Sequence, residues 1–292
     1  MLVTPKPPSP PGGIRGVSNT KLINSYIMKK LKNFKMVLFA VSILLFAFPI
    51  LAYAAQPKQE YFVLKIFRIN SPAQEGMLDS FLKDAYLPAL HRAGIPKAGV
   101  FKPVESDTAY GKLVYLFIPF KSVDQYLGLA DILEKDRTYQ QSGKSFLDAE
   151  YSNPPYARCE TVLMKAFAFM PEFRAPSYTN PPSERIYELR SYESATEAKA
   201  LKKIQMFNEG GEMKLFEDLK FNPVFFGQVL IGSHMPNLMY MTTFSDMATH
   251  DERWKTFGSS DVWKKLSGMD EYKNTVSKAN PYLLHPTSYS DF

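Results

Sequence analysis

The chain is poor in the residue patterns that carry chemistry on their own. Cys159 is the single cysteine among 292 residues, so no intrachain disulfide can form and no thiolate-built zinc site exists. Its place before the apolar run TVLMKAFAF predicts a buried structural thiol. Only four histidines occur (His91, His234, His250 and His285), and none has the His-Glu-x-x-His spacing of a metal hydrolase. There is no G-x-S-x-G elbow, P-loop or dinucleotide fingerprint, and Gly210-Gly211 lies in no such context. Acidic residues are missing from residues 1–54, which hold seven basic ones: Lys6, Arg15, Lys21, Lys29, Lys30, Lys32 and Lys35. Subtracting those seven from the formal charge of +6 leaves −1 on the remainder. The basicity thus belongs to the leader, and the nearly neutral remainder argues against nucleic acid, which demands many phosphate contacts.

What the leader does contain reads as an export signal. MKKLKNFK (28–35) is a basic region, MVLFAVSILLFAFPIL (36–51) an apolar core, and AYAAQ (52–56) places Ala52 and Ala54 as the small residues of a cleavage site. The apolar core is short for a membrane span and Pro49 interrupts it. The expectation is a signal peptide over 28–54, cut near Ala54, and a periplasmic or secreted product with no membrane attachment after cleavage. Residues 1–27 resemble no export element; they are expected to be disordered or to precede the true start at Met28.

The whole chain has 45% apolar and 22% charged residues, an ordinary globular composition, and the part beyond the leader repeats itself. YFVLKIFRIN (61–70) returns as RIYELRSYES (185–194). At an offset of 125, Phe62 meets Tyr187, Leu64 meets Leu189, Lys65 meets Arg190 and Phe67 meets Tyr192. The same offset places LVYL (113–116) on LMYM (238–241), hence Tyr115 on Tyr240. Gly99 meets Gly227 only after a small insertion.

Each half reads strand, helix, two strands, helix, strand. The first half places a helix over 71–94, capped by Ser71, kinked at Pro88 and ended by Gly94. The order β-α-β-β-α-β is a ferredoxin-like arrangement, whose sheet has helices on one face only. The expected fold is therefore α+β: two tandem ferredoxin-like units, over 60–170 and 184–292, packed sheet to sheet as a pseudo-dimer. A proline-rich linker, 171–183, joins them.

IYELRSY (186–192), FNPVFFGQVLIG (221–232), PNLMYMTTFSDMATHDERWKTF (236–257) and LLHPTSY (283–289) resemble the NIPSNAP family. YLPALHRAGIPKAGVFKP (86–103) resembles the first unit of exported bacterial tandem members. The resemblance implies the dimeric α/β-barrel group of folds. It implies no established reaction, although other branches of that group bind haem or oxidise small aromatic molecules.

Residues for a site are few. Alternation along β-rich IYELRSY puts Glu188, Arg190 and Tyr192 on one side, expected to face the space between the sheets, with Tyr187 and Leu189 facing helices. Lys65 takes the equivalent place in the first half, so a cation from each half would hold a polar or anionic small ligand; a structural ion pair fixing strand register is the alternative. Gly210-Gly211 either opens a helix to present Asn208 and Glu209 or marks a break between two helices. Arg253 and Trp254 line a pocket or belong to the core, and so do mid-strand Tyr115 and Tyr240. His91, near a helix end, reads as a helix-terminal histidine set against an axial haem ligand. No catalytic residue, metal or cofactor is assigned. The expectation is a protein that binds a small molecule or a protein partner, with a barrel-interior oxidoreductase or haem enzyme and a structural role as alternatives. Self-association stays open.

Overall fold

A computed structural model describes residues 8–9, 25–36 and 58–292. The chain divides into Met1–Gln56 and Pro57–Phe292. In the former, residues 25–36 are helical; the expected apolar core beyond Met36 and the cleavage site at 52–56 lie outside the described residues. No described helix is long and apolar enough to cross a membrane.

Pro57–Phe292 is built on eight strands: β1 (Tyr61–Arg68), β2 (Gly99–Pro103), β3 (Leu113–Phe120), β4 (Arg158–Ala166), β5 (Ile186–Glu193), β6 (Pro223–Ile231), β7 (Asn237–Phe244) and β8 (Lys278–Pro286). They close into one barrel in the order β1-β3-β2-β8-β5-β7-β6-β4, every neighbour antiparallel. Read round the barrel, the first half contributes β4-β1-β3-β2 and the second β8-β5-β7-β6. The seams are β2 against β8 and β4 against β6. The two sheets thus join along their edges as well as facing each other, which removes every free edge.

Burial on both faces explains the sequence of these strands. β3 (LVYLFIPF) and β7 (NLMYMTTF) are buried almost throughout, because one face meets the barrel lumen and the other meets helices. Three apolar layers follow. The lumen is filled by strand residues such as Phe62, Leu64, Phe101, Tyr115, Phe117, Met164, Tyr187, Leu189, Phe225 and Met241, closed by Phe292. Phe62, Phe117 and Phe225 form a ring cluster with centroids 4.6–5.4 Å apart. Phe173, from the 171–183 segment, stacks on Phe292 at 5.8 Å and plugs the end where β1 begins. A Cβ at Gly99 would lie 2.5 Å from the Phe101 ring and 2.9 Å from that of Phe292, so this lumen has no space for even one methyl there.

Helices cover the outside. In the first half Ser71 caps Pro72–Phe81, which continues through a π turn, Leu82–Tyr86, into Leu87–Arg92. The π turn lies just ahead of Pro88, which has no N–H to give; Leu87 N–H reaches back to Leu82 O. Cys159 is half-buried against this layer. In the second half Thr196 caps Glu197–Asn208 and Asp246 caps Met247–Ser259. Gly210-Gly211 is a helix break: Gly211 has φ +92°, and a Cβ on Gly210 would meet Met206 O at 2.5 Å.

Two expected alignments change. β1 pairs Lys65 with Leu116, and β5 pairs Arg190 with Tyr240, so Leu116, and not Tyr115, is the counterpart of Tyr240. Likewise Gly99 pairs with Phe117 while Gly227 pairs with Met239, which makes Phe101 the counterpart of Gly227. A slip of one residue in the matched sequence reverses which face a side chain takes. Tyr115 accordingly lies in the lumen and Tyr240 under the helices.

Candidate functional site

The face of β5 is also the reverse of the expected one. Tyr187 and Leu189 enter the lumen, whereas Glu188, Arg190 and Tyr192 point outward beneath the second-half helices. Tyr187 and Leu189 are apolar enough for either layer, and burial of both faces removes the usual signal.

Under those helices a continuous polar cluster forms. Glu188, 1% exposed, accepts from Arg190 Nε at 2.7 Å and from the Trp254 indole at 2.6 Å. His250 Nε2 stands 3.4 Å from Glu188 Oε2, and His250 Nδ1 lies 2.8 Å from Asp251 Oδ1. The Arg190 guanidinium lies 3.8 Å from the Trp254 ring centroid, a cation–π contact, and donates to the Tyr192 hydroxyl at 3.1 Å. Tyr192 and Tyr240 hydroxyls meet at 2.9 Å. Beside this chain of contacts Lys203 Nζ pairs with Glu212 at 2.7 Å, both side chains buried, and faces the rings of Tyr192, Phe207 and Trp263.

The electrostatics balance within the cluster. Burial pushes the Glu188 carboxyl up, but the His250 contact and the Arg190 charge outweigh it and hold the group below its ordinary range. Burial pushes His250 down, yet its contacts with Glu188 and Asp251 raise it overall. Glu212 is raised, chiefly by burial, with Lys203 opposing. Each buried carboxylate therefore has its own cation, and the arrangement can dock helix Met247–Ser259 onto β5.

The remaining expected residues disperse. Asn208 is spent on backbone, donating to Ile204 O and accepting from Phe169 N, and Glu209 is exposed. Lys65 reaches Thr161 Oγ1 at 3.4 Å on the first half's helix side, far from forming a pair with Arg190 across the lumen. Arg253 is half-buried; its Nε is enclosed and has no partner among the described residues. His91 sits at a helix end as expected and bonds Asp291 Oδ2 at 2.9 Å, fastening the C-terminal segment. His250 and Trp254 complete the cluster, and the sequence offered a signal for them: both lie four residues apart on the helix facing β5.

The surface of Pro57–Phe292 carries open clefts, of which two are described. One, of about 370 Å³, is lined by Arg174, Tyr178, Glu217, Lys220 and Asn222. The other, of about 600 Å³, lies between the turn after β1 and the turn before β3. Among the described residues no cluster of His, Cys, Asp and Glu has metal-binding geometry.

Comparison with known proteins agrees with this architecture. A protein provisionally named a monooxygenase from Fusobacterium nucleatum subsp. nucleatum shares 10% identity and a TM-score of 0.51, with 79% of this chain and 93% of that chain covered. At that identity the likeness shows the barrel fold alone. A NIPSNAP family protein from Agrobacterium tumefaciens shares 17% identity over 36% of this chain and 96% of that chain, with a TM-score of 0.33. A NIPSNAP-like domain protein from Burkholderia xenovorans shares 17% over 37% and 89%, with a TM-score of 0.33. No curated protein matches the chain in sequence. The NIPSNAP family model matches residues 187–291, which span β5 to β8 and hold the whole polar cluster. On that match, residues 187–291 of this chain are a NIPSNAP domain.

Proposed function

We propose that the chain is an exported protein of two tandem units, 60–170 and 184–292, forming a pseudo-dimeric barrel that acts by binding a small molecule or a partner outside its lumen. The observation that carries this reading is the lumen itself: Phe62, Phe101, Phe117, Phe225 and Leu284 are fully buried there, and Phe173 and Phe292 stopper one end. A space so filled supports a scaffold rather than a reaction chamber. The cluster around Glu188 supports the same conclusion, since its charges neutralise one another. Like strand orders and the matched β1–β3 and β5–β7 pairings support the tandem origin. The basic region followed by an apolar core and Ala-x-Ala supports export.

Native mass spectrometry of the purified chain tests the reading. A mass excess from a retained ligand, or a co-purifying partner, is expected. A Soret band on adding haemin, with turnover of a small aromatic substrate, would instead favour the barrel-interior oxidoreductase.

A further inference from the structure

At the end of the barrel where β1 stops, Arg68, Lys112 and Arg158 come near one another, with Glu160 on the same face of β4 as Arg158. Alternation along β1 continues the lumen-facing series Phe62, Leu64, Ile66 to Arg68. Arg68 lies directly opposite Leu113 on β3 and directly opposite Arg158 on β4. Like charges facing across an antiparallel pair destabilise it. Arg68 and Lys112 both line the cleft of about 600 Å³, together with Asn70, Ser71, Thr108 and Tyr110. That lining contains no acidic residue.

No carboxylate lies within 4.0 Å of Arg68, Lys112 or Arg158 among the described residues. Lys112 Nζ donates to Thr108 O at 2.8 Å and Arg158 to Ala157 O at 2.7 Å, bonds that leave both charges unneutralised. Two acids stand at this end outside the cleft lining: Asp107 Oδ1 accepts from Ala109 N–H at 2.8 Å, and Glu160 accepts from the Ser233 hydroxyl. Tyr115, only 2% exposed, faces the lumen at this end beside Ile66. Burial raises that phenol, Tyr282, Asp107 and Glu160 add to the effect, and Arg68 opposes it, so Arg68 and both carboxylates act on the same hydroxyl.

We propose that this cleft binds a compact oxyanion, a carboxylate or phosphate carried by a small molecule, held by Arg68 and Lys112. A guanidinium offers two parallel donors matched to such a group, and Lys112 adds a point charge. The bound anion relieves the Arg68–Arg158 opposition. This site rests on the binding reading above and gives it a location and a ligand class.

Calorimetric titration of the full chain with inorganic phosphate, and separately with succinate, tests it at low ionic strength. Saturable binding of one or both is expected, weakened by roughly tenfold or more in Arg68→Gln and in Lys112→Gln. Lys220→Gln, in the other cleft, should bind as the parent does. Preference between the two probes tells phosphate from carboxylate chemistry. Arg158→Gln should raise the melting temperature of the ligand-free protein, and phosphate should raise the parent's melting temperature more than that of Arg68→Gln. Absence of binding by both anions, or binding indifferent to Arg68→Gln, overturns the site. A cellular ligand retained equally by the parent and Arg68→Gln overturns the site while sparing the binding reading.

Discussion

Trp254 donates its indole N–H to Glu188 at 2.6 Å, from the helix Met247–Ser259 to the outward face of β5. The same ring lies beneath Arg190, which holds the other Glu188 oxygen at 2.7 Å. One aromatic side chain thus satisfies a buried anion and stacks on its counter-cation. Trp254→Phe keeps a ring but removes the donor. It should cost about 1.5–3 kcal/mol, the range for a hydrogen bond to a charged group, read from the denaturant midpoint at unchanged slope. Glu188→Ala should cost more, about 3–5 kcal/mol, because Arg190 is left largely buried and unpaired.

The Glu188–His250 contact makes stability depend on pH in two directions. His250 is raised above its ordinary 6.5 in the folded chain. Its contribution is fully present below that value and is lost as pH rises through the folded value. Glu188 is lowered below its ordinary 4.5, so its contribution is present above that value and is lost as pH falls through the folded value. Melting temperatures measured across pH should therefore be highest between about 4.5 and 6.5 as far as this pair is concerned. His250→Gln should flatten the decline on the alkaline side.

Lys203 and Glu212 are an enclosed ion pair with aromatic rings around the ammonium. Removal of one partner, in Lys203→Met or Glu212→Leu, should destabilise by about 3–5 kcal/mol. The double variant should recover most of that loss, because no buried charge remains. A double-mutant cycle in urea measures the difference.

Lumen packing should resist change in both senses. Gly99→Ala forces a methyl against the Phe101 and Phe292 rings and should cost about 1–3 kcal/mol. Phe117→Ala, which empties the centre of the ring cluster, should cost about 3–5 kcal/mol. Equilibrium unfolding of each variant checks these values. An apolar probe that binds Phe117→Ala and not the parent would show that the filled lumen is what excludes ligands.

Much of this fold is legible in the residues. The strand–helix order, the caps Ser71 and Gly94, and the break at Gly210-Gly211 follow from local preferences, which act within a few residues. Face assignment on β5 does not follow, since Tyr187 and Leu189 suit the lumen as well as a helix layer, and Glu188 and Arg190 can be buried because they neutralise each other. The matching of Tyr115 with Tyr240 misleads for a related reason: a shared tyrosine in a short apolar run carries no register, and the ladder sets Leu116 against Tyr240's place. The Glu188–Trp254 contact joins residues 66 positions apart, a distance that no local pattern spans.

The two proposed units share one lumen, and β6 and β8 each complete their ladders on strands of the other unit. Light scattering on isolated residues 184–292 tests that dependence most directly. Self-association into a dimer or larger species, or failure to fold, is the predicted result. A stable monomer with a cooperative melt would contradict it.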